Sequence, residues 1–169
     1  NKKIKFKNLT KNDFTYKAFK EFGLYIWKIN KIAISIRAIK ENQKTTSGHF
    51  HSDQLSINLY SNNKYFLRDP GTFCYTPFPS LRNYFRSRVA HFPSLDMIEK
   101  NNNLFEGPKI NKVLIRYVGK SGFLGHYKNN EVEEILRLII KNNVIDISFY
   151  IKGSENGYKK QFKKIIENK

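Results

Sequence analysis

Short alternating apolar runs, abundant isoleucine, valine and aromatic residues, and Asn, Gly and Lys punctuation between the runs predict an all-β fold of the sandwich kind. Aromatic residues make up 15% of the chain, a composition that suits a pleated, half-buried surface better than a helical bundle. At 169 residues the chain is read as one β domain with enough length to bury a sizeable core. It shows no internal repeat, no apolar run near the length of a membrane span and no stretch that reads as a signal peptide.

Taken in order, residues 1–19 are read as an N-terminal segment at the edge of an upstream domain, because the chain starts in mid-pattern without a methionine. Residues 20–153 form the predicted sandwich. Period-two alternation marks strands at 24–29, 32–39, 112–118 and 144–151. LSINLY alternates through Leu55, Ile57 and Leu59; Asn62-Asn63 is then a two-residue turn and KYFLR the returning strand. Residues 132–140 fit either a strand or one amphipathic helix, and the strand is preferred. Residues 154–169 are a polar tail or short helix, with Phe162, Ile165 and Ile166 at helical spacing.

The chemistry concentrates between Gly48 and His91, which hold three of the four histidines. If GHFHSD continues the strand, His49, His51 and Asp53 share one face, with neighbours about 7 Å apart. The 62–63 hairpin would bring Asp69, turned by Pro70-Gly71, beside His51, and His91 would arrive from a third segment. Two imidazoles and a carboxylate are a zinc ligand set, and a further imidazole is a candidate for work on a substrate. Taken singly, a His-x-His is more often a pair of surface histidines, and Asp-Pro-Gly more often a plain turn. The ordered combination is what singles the region out. Cys74, the single cysteine, forms no intrachain disulfide and is read as a packed strand residue. His126, in Gly125-His126-Tyr127, is read as a loop histidine.

A net charge of +17 favours an anionic partner. Lysine is spread along the whole chain, however, and with abundant Asn and Ile this is also what AT-rich coding produces. The exception is RNYFRSR at 82–88, where arginines interleave with aromatics. Guanidinium forks suit carboxylate or sulfate groups, and aromatic faces suit sugar rings or bases. The plain alternative is a sandwich strand whose arginines brace neighbouring carboxylates.

GHFHSDQLSINLY, FLRDPGTFCYT and RNYFRSRVAH, in this order and spacing, resemble the C-terminal domain of the heparinase II/III-like polysaccharide lyases. FGLYIWKINKIAISIRA looks like the two strands preceding the His-x-His segment in that family. NLFEGPKINKVLIRYVG and EVEEILRLIIKNNVIDISFYIKG look like its later strands, so the resemblance covers roughly residues 20–153. It implies a two-layer antiparallel β-sandwich. His51, Asp69 and His91 then match structural zinc ligands and His49 the cleft-facing histidine of catalysis. Asp53 is a plausible partner that orients His51 through its other ring nitrogen. Arg82, Tyr84, Arg86 and Tyr75 are candidates to line the substrate cleft. The chain departs from the family after His91, where Phe92 and Pro93 stand in place of the usual asparagine.

Enzymes of that family cleave uronate-containing acidic polysaccharide by β-elimination, with most catalytic groups on an N-terminal helical toroid. The resemblance therefore implies a sandwich that is inactive alone and works with an upstream toroid of the same full-length protein, in a periplasmic or secreted setting by analogy. A homodimer is compatible with the sequence; a membrane partner is not expected. A non-catalytic carbohydrate-binding or glycan-assembly accessory domain is the first alternative. A basic nucleic-acid-binding β domain ranks last, because it leaves His51, Asp69 and His91 unexplained.

Overall fold

A computed structural model describes residues 2–7, 9, 13–39, 51–72, 74, 77–91, 113–128 and 132–152. Among these, two five-stranded antiparallel sheets stack on one another. One runs β1 (Lys2–Phe6), β10 (Val144–Lys152), β9 (Glu133–Lys141), β8 (Gly122–Lys128) and β7 (Val113–Gly119) from edge to edge. The other runs β2 (Phe14–Phe19), β3 (Leu24–Ile29), β4 (Ile32–Arg37), β5 (Ser56–Ser61) and β6 (Lys64–Leu67). The predicted two-layer antiparallel sandwich is what the chain forms, and residues 133–141 are strand rather than helix.

The hairpins follow from turn chemistry. Two-residue type I′ turns require positive φ at both central positions, which asparagine tolerates better than other non-glycine residues. Asn62 and Asn63 take φ of 48° and 64°, and Asn142 and Asn143 take 50° and 58°. Alternation then sorts the faces. Tyr25, Trp27 and Ile29 point inward from β3, and Ile32, Ile34 and Ile36 from β4. They meet Phe123 and Tyr127 of β8, Leu136 and Leu138 of β9, and Ile145, Ile147 and Phe149 of β10. Trp27 is fully buried, and its indole N–H donates across the sandwich to the Gly119 carbonyl at 2.9 Å. The satisfied N–H is what lets so large an amphipathic ring sit at the centre.

Within residues 1–19, the described strands β1 and β2 are edge strands of the two sheets, β1 pairing with β10 and β2 with β3. Two expectations are corrected. Segment 82–88 is not a strand. Pro79–Arg86 is a helix, α1, with proline at its first turn where the missing N–H costs nothing, and a 3-10 turn follows at Arg88–Ala90. His126 lies on β8 rather than in a loop. The C-terminal tail lies outside the described residues.

Candidate functional site

The site sits where the second sheet gives way to loops. His51 and Asp53 are not on a strand, as the alternation suggested; they precede β5 in a tight turn. The Ser56 N–H donates to the Asp53 carbonyl at 3.0 Å, and the Leu55 N–H to the Arg37 carbonyl at 2.7 Å. Leu55 takes φ of 64° while fully buried, a left-handed conformation that costs a non-glycine residue about 1–2 kcal/mol. Side-chain packing sustains it: a Cβ on Gly125 of the facing sheet would meet Leu55 Cδ2 at 2.5 Å. The turn is therefore held by tertiary contacts that local alternation does not encode.

Two further ties fix this loop. The Ser52 N–H donates to the carbonyl of Arg86 at the end of α1, at 2.9 Å. Gln54 is buried, and its side-chain oxygen accepts the Ile39 N–H at 2.7 Å while its carbonyl accepts Arg88 Nη1 at 3.0 Å. Arg88 lies beneath the loop. Its guanidinium stands 3.7 Å from the centroid of the Tyr127 ring and forms an ion pair with Glu134, both side chains being 1% exposed. The plain reading of 82–88 has its arginines brace carboxylates, which Arg88 does, but it names neither Glu134 nor the burial of the pair. Its signal was present, since Glu134 occupies an inward position of β9 in register with Leu136 and Leu138. A carboxylate there demands a buried cation.

The clamp sets His91 down beside His51 and Asp69. His91 is buried, its ring centroid 5.4 Å from that of His51. His91 Nδ1 donates to Asp69 Oδ2 at 2.7 Å, and Asp69 Oδ1 accepts the Gly71 N–H at 2.9 Å. The Asp69 N–H is anchored on the Asn58 side-chain oxygen at 2.7 Å, which ties the residue to the outer face of β5. His51 Nε2 pairs with the Thr72 hydroxyl at 3.1 Å. Burial alone would raise the Asp69 carboxyl, but the His91 hydrogen bond and charge, the Gly71 N–H and His51 together hold it below the ordinary carboxylate value. Burial, and next the charge of His91, push the His51 imidazole below its usual pKa and so favour its neutral form.

The three predicted ligands are thus brought together from separate segments. His91 Nε2 is buried and has no hydrogen-bond partner among the described residues, and an orphaned imidazole nitrogen is the position a metal would satisfy. No set of three His, Cys, Asp or Glu side chains forms a ready metal group among the described residues. The geometry gives the reason: Asp69 Oδ2 is taken by His91 Nδ1, and His51 Nε2 by Thr72. As placed, the three side chains form a hydrogen-bonded cluster in which Asp69 is the carboxylate that orients His91. Asp53 faces elsewhere than expected: its carboxylate pairs with Arg37 Nε at 3.2 Å and with the Gln54 amide at 3.4 Å, and burial raises its pKa.

The substrate-side candidates lie on α1. Arg82 bonds the side chain of Asn83, Tyr84 is exposed and meets Phe85 edge-on, and Arg86 is buried at the helix end close enough to bear on His51. His49, Tyr75, Phe92 and Pro93 lie outside the described residues.

A two-layer β-sandwich with a His–Asp–His cluster where one sheet meets its loops is the class of domain these observations define. Residues 12–91 match the family described as heparinase II/III-like, C-terminal, so over those residues the resemblance read from the sequence is shown. Among solved structures, the crystal structure of heparan sulfate lyase HepC from Pedobacter heparinus is similar, at 22% identity and a TM-score of 0.51. That match covers 79% of this chain but 22% of HepC, so the chain spans about a fifth of that protein's length. At such identity the likeness speaks for the fold. A search of curated proteins gives no match.

Proposed function

We propose that this chain is the sandwich portion of a larger heparinase II/III-like lyase that cleaves uronate-containing acidic polysaccharide by β-elimination. The observation that carries the proposal is the cluster of His51, Asp69 and His91, with a buried His91 Nε2 that has no hydrogen-bond partner among the described residues. β-Elimination needs a neutralised uronate carboxylate, a base for the C5 proton and an acid for the departing O4 oxygen. In this reading His49, two residues before His51, faces the cleft and takes part in proton transfer. His51 and His91 would hold a structural zinc with Asp69 as ligand or orienting carboxylate. Bound there, zinc would supply a cross-link between the 51–55 loop, the segment after β6 and the turn after α1. Arg82, Tyr84 and Arg86 would line the substrate side, and the remaining catalytic groups would come from an upstream helical toroid.

Metal content and thermal unfolding of the parent, His51→Ala and His91→Ala test the proposal. Near-stoichiometric zinc in the parent, lost in both variants together with thermal stability, is expected. A well-folded parent that takes up no zinc under saturating conditions would sink the metal-tied scaffold. By itself the chain is expected to release no unsaturated uronate from acidic polysaccharide; the ultraviolet absorbance of that product is the readout.

A further inference from the structure

The outer face of the second sheet, which reaches the histidine cluster at Asp69, carries a groove that the lyase assignment does not use. A groove of about 700 Å³ runs over β4, β5 and β6, and a smaller one of about 290 Å³ continues it past Ala33 and Tyr60 to the β3–β4 turn. Tyr60 and Tyr65 form an edge-on pair at its centre, with centroids 5.0 Å apart and an interplanar angle of 68°. Tyr65 is 55% exposed. The Arg68 guanidinium stands 5.5 Å from the Tyr65 ring centroid at one end, and Lys28 and Lys31 line the other. Asn58, at the groove floor, is the residue that anchors the Asp69 backbone. Asp69 is the one carboxylate among the described lining residues, and it is already engaged by His91 and the Gly71 N–H. The groove is therefore cationic at both ends and aromatic in the middle, and its Asp69 end opens beside the cluster.

We propose that this groove is a binding subsite for an acidic oligosaccharide. The Tyr60–Tyr65 pair packs against a sugar ring, while Arg68 at one end and Lys28 and Lys31 at the other meet carboxylate or sulfate groups. Tyrosine faces offer a broad apolar contact with little conformational entropy to lose, as the C–H face of a pyranose requires. Arginine supplies a planar fork for a bidentate anionic group, and lysine a mobile point charge. Charge complementarity selects a polyanion, and the aromatic platform between the cations selects rings spaced along it. The choice of polysaccharide over other ring-bearing polyanions rests on the lyase reading above.

The test is titration of the purified chain with a heparin-derived octasaccharide, an oligogalacturonate of the same length, a neutral cello-oligosaccharide and single-stranded DNA. Tyr65→Ala, Arg68→Ala, His51→Ala and a control on the other sheet, Tyr150→Ala, are measured beside the parent. Tyr65, Arg68 and Tyr150 are exposed, so unchanged melting temperatures are expected for their variants. The expected result is binding of one or both acidic oligosaccharides and not the neutral one. Arg68→Ala and Tyr65→Ala should each weaken it by about tenfold, since charged hydrogen bonds and aromatic contacts each carry about that much; Tyr150→Ala should leave it unchanged. If the groove variants bind normally while His51→Ala does not, the glycan sits on the cluster, and the groove assignment fails with the lyase reading intact. DNA bound as tightly as the oligosaccharides, with the same sensitivity to Tyr65→Ala, would overturn the polysaccharide assignment. Acidic oligosaccharide binding lost in the groove variants of a chain that takes up no zinc would uphold the groove and sink the metal scaffold alone.

Discussion

Two histidine–carboxylate pairs of nearly equal length occur in different parts of the molecule. His91 meets Asp69 at 2.7 Å in the cluster after α1, and His126 of β8 meets Glu133 of β9 at 2.9 Å on the other sheet. In the first pair the imidazole is 1% exposed and the carboxylate 19%; in the second they are 23% and 28% exposed. The first has another imidazole, His51, tilted beside it and a buried nitrogen left over, whereas the second has neither among the described residues. Contact distance alone therefore does not distinguish a site from an ordinary surface ion pair. Burial, an orphaned ring nitrogen and a third group from a distant segment do. The buried Arg88–Glu134 clamp stands three residues before His91 in the chain.

The largest way to disturb this contrast is at the clamp. Glu134→Ala leaves the Arg88 charge buried without its carboxylate, and breaking a buried pair from one side costs about 3–5 kcal/mol. Arg88→Leu with Glu134→Leu, which removes both charges, should recover much of that loss in urea unfolding. Recovery of stability without recovery of zinc uptake would show that the clamp serves to position His91. Recovery of both would mean that burial of His91 does not depend on the ion pair.

Next comes His91 itself. His91→Ala in chelator should lose about 1–3 kcal/mol, because it strands the partly buried Asp69 carboxylate, and should abolish zinc uptake as well. Asp69→Asn separates the two roles open to that carboxylate. If Asp69 orients His91 through Nδ1, as the 2.7 Å contact implies, zinc affinity falls by about 10–100-fold. Complete loss of zinc would make Asp69 a direct ligand. In chelator, acidification should also tell on His51. Its folded pKa lies below the ordinary value, so the unfolded chain binds a proton that the folded chain refuses. Stability should fall as pH drops below about 6.5 toward the folded pKa, and in His51→Ala that part of the slope should vanish.

The sandwich was legible because its determinants are local. Alternation assigns Ile32, Ile34 and Ile36 to one face, and Asn62-Asn63 supplies the backbone that a type I′ turn requires. The cluster was legible as a set of residues but not as geometry. His51 and Asp53 kept strand-like spacing, yet the loop is shaped by Leu55 at positive φ and by bonds to Arg37, Arg86 and Arg88, all distant in sequence. The helix Pro79–Arg86 did carry a start signal in its proline, but the interleaved arginines and aromatics drew the reading toward a strand. The outer groove left no motif at all, because β3, β4, β5 and β6 each contribute a few outward residues to it.

The smallest expected effect is the sharpest check on the contrast between the two pairs. His126→Ala removes a cross-strand ion pair open to water, in which solvent screens the charges and the side chains lose rotamer freedom to hold one geometry. Exposed pairs of this kind are worth about 0–1 kcal/mol. The variant should therefore unfold within that range of the parent, take up zinc as the parent does and bind acidic oligosaccharide unchanged. A larger loss of stability would give this pair a structural weight that its exposure does not suggest. A loss of zinc would carry more meaning still, since no described contact links β8 at His126 to His51, Asp69 or His91; it would place metal binding somewhere other than the cluster.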